Sequence, residues 1–165
     1  MPLIEHLVAE AQHEAATTRR LLERLPADQL PWRPHPRAST LGILATHVAT
    51  LPAQVAGLAM QDGVDVPVRP EAEGRTKAEI LERFESALIA MSNRLAGVDD
   101  AAAMAPWPVR KNGQVLMMLP RIAVVRTFLL NHLYHHRGQL ATYLRMLNVE
   151  VPSIYGASAD EDPFA

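Results

Sequence analysis

The sequence predicts an all-α fold, a four-helix bundle, on three observations. Four stretches repeat apolar residues at every third or fourth position, helix starts and stops bound them, and the links between them are short to medium. The first stretch runs from about Leu3 to Leu25. Ile4, Leu7, Val8, Ala11, Ala15, Thr18, Leu22 and Leu25 make its stripe, and Pro26 stops it. The second opens at Ser39 or Thr40, either a good N-cap, and reaches about Met60. Thr40, Leu44, His47, Leu51, Val55 and Leu58 share one of its faces, and Pro52 is expected to kink it.

The third stretch opens on the capping box Thr76-Lys77-Ala78-Glu79, carries Ile80, Phe84, Ala87, Leu88, Met91 and Leu95, and ends at Gly97. The fourth begins at Pro120, a favoured first-turn residue, and runs to about Leu147. Its expected buried seam is Ile122, Val125, Leu129, His132, His136, Leu140, Tyr143, Leu147. Trp32 sits in a stiff proline-rich loop, and residues 61 to 75, with Gly63, Pro67, Pro70 and Gly74, read as a second loop. Between the third and fourth helices, Asn112-Gly113 suits a small hairpin flanked by Trp107 to Lys111 and Gln114 to Met118. The tail from Val149 to Ala165 has turn residues and no periodicity.

The 165 residues, 48% of them hydrophobic, fit a single domain over 1–165. No apolar run is read as reaching the ~20 residues of a membrane span, and the acids and histidines of the N-terminus do not resemble a signal peptide. With no cysteine there are no disulfides and no thiolate ligands. These features favour the cytoplasm. A net charge of -2 gives no strong pull toward nucleic acid or acidic membranes.

The chain has seven histidines. His6 and His13 fall on the polar side of the first helix, and His35 lies in the proline-rich loop without an assigned role. His132 and His136 are different: they are four residues apart, so their rings leave one helix face one turn apart, the helical way to aim two imidazoles at one ion. His135 has more polar neighbours and is the weaker candidate. His47 interrupts the apolar face of the second helix in the same manner. Three such rings satisfy one another through a metal. The alternative is that each is a hydrogen-bonded core histidine, since an unpaired buried polar group costs about 1–3 kcal/mol.

Other chemistry is thin. His132-Leu133-Tyr134-His135-His136 is not the metalloprotease H-E-x-x-H helix, because position 133 is leucine. The stretch from Pro120 to Leu147 has no Asp or Glu, so a general base must come from elsewhere, with Glu14 one possibility. Phosphate-binding glycine loops and the G-x-S-x-G elbow are absent. Arg137 suits an anionic substrate group, or a salt bridge between helices or subunits.

Leu41-Gly42-Ile43-Leu44-Ala45-Thr46-His47, followed by Asn131-His132-Leu133-Tyr134-His135-His136-Arg137-Gly138-Gln139-Leu140, resembles the DinB-like family. Trp32-Arg33-Pro34-His35-Pro36 and the tail Val151-Pro152-Ser153-Ile154-Tyr155-Gly156, with Ser158-Ala159-Asp160-Glu161, add to the likeness. The resemblance implies an up-down-down-up four-helix bundle, commonly a homodimer. It also implies zinc or nickel on three histidines, which fall here on His47, His132 and His136. Some such relatives are S-transferases using a low-molecular-weight thiol, bacillithiol or mycothiol, and one is a maleylpyruvate isomerase.

Two functional readings follow. The first is a metal-dependent enzyme acting on a small molecule, a thiol-dependent S-transferase or a hydrolase, with Arg137, Gln139 and Tyr143 as candidate substrate contacts. The second is a non-catalytic dimeric metal-binding bundle whose site is structural or vestigial, closed by a fourth protein ligand from His135 or a tail acid. Exposed loop aromatics, Trp32 and Trp107, are expected to contribute to a dimer contact.

Overall fold

The computed structural model describes residues 1–67 and 72–164. Four long helical segments dominate it. Helix α1 (Leu3–Glu23) buries Ile4, Ala11, Thr18, Leu21 and Leu22, close to the expected stripe. Helix α2 (Leu41–Ala59) is capped by Thr40, whose hydroxyl accepts from the Ile43 amide at 3.1 Å, and it continues through Pro52. After strand β1 (Val64–Asp65), helix α3 (Lys77–Leu95) starts at its capping box: the Thr76 hydroxyl accepts from the Glu79 amide at 3.1 Å and the Glu79 carboxylate accepts from the Arg75 amide at 2.9 Å. A one-turn helix α4 (Asp100–Met104) precedes strands β2 (Pro106–Lys111) and β3 (Gln114–Pro120). Helix α5 (Arg121–Val124), a π-helical segment (Val125–Asn131) and helix α6 (His132–Met146) follow without a break.

The all-α expectation needs correction, because a three-stranded sheet is present in the order β1-β2-β3. The hairpin β2–β3 forms where Asn112-Gly113 predicts it. Both turn residues have positive φ, 52° and 78°, the geometry of a two-residue hairpin loop that Asn-Gly favours. The proline at 108 is tolerated within β2. Strand β1 pairs parallel to β2, Val64 with Val109, and two residues are too few to read as a strand from pattern. It falls in the stretch 61–75 expected to be loop. Pro70 of that stretch lies outside the described residues.

Helix α2 is long and apolar enough to cross a membrane by length and composition, so the reading that no run approaches a span understated it. Two-thirds of its most apolar window (67%) is nevertheless buried inside the fold, as in a central core helix. It packs most extensively on α3 and also meets the π segment and α6.

The fourth helix buries Val125, Leu129 and Leu140 of the expected seam, but the rest of that seam is replaced by neighbouring positions. Its buried residues are Val124, Val125, Leu129, Leu130, Leu133, Arg137, Leu140 and Leu144, while His132, His136 and Tyr143 are only half-buried. A π turn holds more residues than an α turn, so a stripe extrapolated at 3.6 residues per turn loses phase across 125–131. Arg137, not histidine, interrupts the leucine seam.

Arg137 is 1% exposed, and its guanidinium meets the Glu14 carboxylate at 2.6 Å. It also donates to the Thr18 hydroxyl at 3.2 Å, the Glu14 carbonyl at 3.3 Å and the Tyr155 hydroxyl. Tyr155 in turn donates to Glu14 at 3.0 Å, which fastens the C-terminal tail to α1 and α6. Farther along the tail, Asp160 accepts from Arg145 and from the Val151 amide, and Glu161 accepts from Arg20 and from the Ser153 amide. The tail thus has no regular secondary structure but is closely tied to the helices.

Candidate metal centre

Three half-buried imidazoles meet where α2 crosses the fourth helix. His47 comes from the middle of α2, His132 from the first position of α6, and His136 from one turn later. The Nε2 atoms of His136 and His132 lie 2.6 Å apart, and those of His47 and His132 3.5 Å apart. Ring centroids are separated by 4.4 to 5.0 Å. Among the described residues these three alone form a cluster able to hold a metal, with one ligand atom from each within 4.8 Å of the others.

Outer contacts orient the rings. Nδ1 of His136 is 2.7 Å from Oε1 of Gln139, and the His132 ring is hydrogen-bonded to the backbone of Phe128, in the middle of the π segment. A Nδ1–H that donates outward leaves the Nε2 lone pair free and pointing inward, the usual outer-shell arrangement of metal-binding histidine. Two Nε2 atoms 2.6 Å apart need a shared proton or a cation between them, and three imidazole nitrogens drawn together in this way are a donor set that fits a divalent metal. Burial holds all three rings below the ordinary histidine range. The neighbouring rings add to the effect, and His47 is pushed down to about 4. All three are thus neutral, the ligating form, at pH 7.

The sign of this effect gives a testable pH dependence. In metal-free protein the unfolded histidines take up protons as the pH falls below about 6.5, while the folded His47 resists until about 4. Stability from this group is therefore full above pH 6.5 and is lost between 6.5 and 4. The midpoint of urea unfolding should fall from pH 7 to pH 5, and His47→Asn should reduce that fall.

A chamber opens on each side of the histidines. The first, of about 520 Å³, is bounded by Ser39, His47, Gln54, Glu73, His136, Gln139 and Tyr143, among others. The second, of about 300 Å³, lies between α2, the π segment and the sheet, and is lined largely by aliphatic and aromatic side chains. His47 and Gln54 belong to both walls.

Residues 1–162 match the family model described as DinB family. The chain belongs to the DinB family. Solved structures similar to this DinB chain include a DinB-like protein from Bacillus cereus ATCC 10987, with a TM-score of 0.71 at 21% identity over 92% of this chain and 97% of that one. A DinB-like protein from Bacillus subtilis gives 0.67 at 15% identity, covering 90% and 97%. A protein assigned to the DinB family from Exiguobacterium sibiricum 255-15 gives 0.59 at 21%, covering 97% and 98%. At these identities the likeness is one of fold. No curated protein matches the sequence.

Most of the candidate residues of this DinB protein fall around the histidine cluster. Gln139 and Tyr143 line the larger chamber, where Trp32 packs edge-on against Tyr143 with centroids 5.6 Å apart. His135 is exposed and outside the metal-holding cluster, although its ring meets that of His136 edge-on, with centroids 4.8 Å apart. Arg137 lines neither chamber: its guanidinium is held in the inter-helix ion pair with Glu14, and Glu14 is engaged there too. Trp107, expected as an exposed loop aromatic, is 1% exposed; its indole N–H donates to the Gln61 carbonyl at 2.9 Å.

Two chamber residues, Glu73 and Gln54, carry no signal in the sequence pattern. Glu73 lies in the loop before α3, and the N-cap threonine of α2 with a second threonine inside that helix place it at the chamber rim. Thr40 donates to its carboxylate at 2.8 Å, and the Thr46 hydroxyl accepts from the next residue's amide, Gly74, at 2.8 Å. Gly42 leaves room for that carboxylate, since a methyl there would collide with it. Gln54 donates to Thr50 at 3.1 Å.

Proposed function

We propose that this DinB protein is a metal-dependent enzyme that acts on a small molecule, with a low-molecular-weight thiol as cosubstrate. The carrying observation is the convergence of three Nε2 atoms beside a chamber large enough for such a molecule. His47, His132 and His136 would hold zinc or nickel. Such an ion supplies Lewis acidity, lowering the pKa of a thiol or water placed beside it. Gln139 fixes the His136 ring, Tyr143 and Gln54 offer polar contacts, and Glu73 is the carboxylate that lines this chamber. With no cysteine in the chain, the thiol must come from solution.

A closed structural site needs a fourth protein ligand. Among the described residues none joins the three histidines, and the tail acids Asp160 and Glu161 are held by Arg145 and Arg20. That favours an open coordination position, as catalytic zinc sites keep. The test is cobalt-substituted protein, in which the matching cellular thiol should produce a thiolate-to-metal charge-transfer band. A broad set of thiols that leaves the cobalt spectrum unchanged would remove the thiol from the proposal.

The same reading includes the up-down-down-up bundle, a cytoplasmic setting without nucleic-acid or membrane partners, and a homodimer. Strand β3 supports the dimer. It is the sheet edge, and Val115, Leu116, Met117 and Met118 are 53%, 60%, 49% and 54% exposed, so both its faces are apolar and open. Antiparallel pairing of two such strands about a twofold axis would cover both copies at once. Light scattering should give twice the chain mass at micromolar concentration, and Leu116→Lys with Met118→Lys should give the monomer. A wild-type monomer would refute the dimer.

A further inference from the structure

We infer that the smaller chamber receives an alkyl or aryl group of the substrate, so that the molecule turned over is amphiphilic, with its polar end at the histidines and its apolar end toward the sheet. The inference rests on the metal reading of the three histidines for the placement of the polar end only. The chamber's walls are Leu51, Val55 and Leu58 from α2, Phe128 from the π segment, and Trp107 and Val109 from β2. The Trp107 indole N–H is already taken by the Gln61 carbonyl, so the ring offers the chamber only its apolar surface. The polar side chains of the lining are His47 and His132, which belong to the histidine cluster, and Gln54, whose amide donates to the Thr50 hydroxyl at 3.1 Å.

A cavity that joins the histidine cluster to otherwise largely apolar walls orients its ligand. Apolar surface gains by leaving water along the walls, whereas a polar group buried there finds no partner. A volume of about 300 Å³ lies at the small end of ligand sites, which suits a short chain or a single ring rather than a large lipid. The α2 stripe read from sequence as core, His47, Leu51, Val55 and Leu58, therefore has a second duty. Below the histidine it forms one wall of a binding chamber that faces the sheet.

Straight-chain alkanehydroxamates, from acetohydroxamate to octanohydroxamate, test this on zinc-loaded protein by calorimetry. Affinity should rise about fourfold per added methylene until the chamber is full, and then level off. Val109→Trp should flatten the series while acetohydroxamate binds as before, and Phe128→Ala should move the plateau to longer chains. A metal-independent measurement is the NMR signal of the Trp107 indole N–H in metal-free protein, which toluene should shift saturably. Toluene shifting Trp107 while acetohydroxamate fails to bind would defeat the metal reading and leave the apolar chamber standing. A flat series on a protein that binds acetohydroxamate, or a Trp107 signal that toluene leaves unmoved, overturns the inference.

Discussion

Replacing His132 by alanine should strip the protein of its metal. The wild-type chain, purified without a histidine tag, should carry close to one zinc or nickel. His132 is the shared neighbour in the cluster, with its Nε2 within 3.5 Å of both His47 and His136. Its loss leaves two nitrogens from different helices, too few to hold an ion against solvent. Disturbing an outer-shell partner of a metal ligand costs roughly 10–100-fold in affinity. Gln139→Leu, which removes the acceptor for His136, should fall in that range, and His132→Ala, His47→Ala and His136→Ala should exceed it. His6→Ala, His13→Ala and the exposed His135→Ala should keep full metal. Elemental analysis of the folded variants decides the matter, and a His132→Ala protein with full metal would end the assignment.

Arg137→Ala should give the largest loss of stability from one substitution. It leaves the Glu14 carboxylate in a site where the pair is 1% and 11% exposed at the side chains, and it removes the donors to Thr18 and Tyr155. Breaking a buried ion pair from one side costs about 3–5 kcal/mol. For a chain of this size each kcal/mol moves the melting temperature by roughly 2–4 °C, so a fall on the order of 10 °C is expected. The double variant Glu14→Leu/Arg137→Met should recover much of it, because no charge is then left stranded. Metal content of the folded Arg137→Ala protein should stay near wild type, since the guanidinium lines neither chamber. A melting temperature within a degree or two of wild type would contradict the buried-pair account.

The helices were legible because their signals are local. Thr40 and Thr76 cap where capping logic puts them, and Asn112-Gly113 turns the hairpin. His132 and His136 were legible because i,i+4 spacing is geometry that one helix supplies alone, and His47 because it interrupts the apolar face of α2. The apolar periodicity puts all three in the buried faces of their helices, whereas they stand half-buried at the chamber walls. That position is the more useful one for chemistry, since a ligand can reach it. The π segment that turns the seam by one residue leaves no pattern in Val125-Arg126-Thr127-Phe128-Leu129-Leu130-Asn131 that a 3.6-residue period detects.

By itself, then, the sequence determined the four long helices, the hairpin turn and the pairing of His132 with His136 on one helix face, all of them consequences of contacts within one turn or one short loop; that His47 meets them is a matter of how α2 packs on α6. The tertiary structure alone decided the partners that lie far apart in the chain. Among these are Glu14 with Arg137, Glu73 held at the chamber rim by Thr40, the two-residue strand Val64–Asp65 laid against β2, and Trp107 sealing the apolar chamber. Each depends on how whole elements stack. A carboxylate in a loop or an arginine on a helix has many long-range partners open to it, and only the packing of α1, α2, α6 and the sheet selects one.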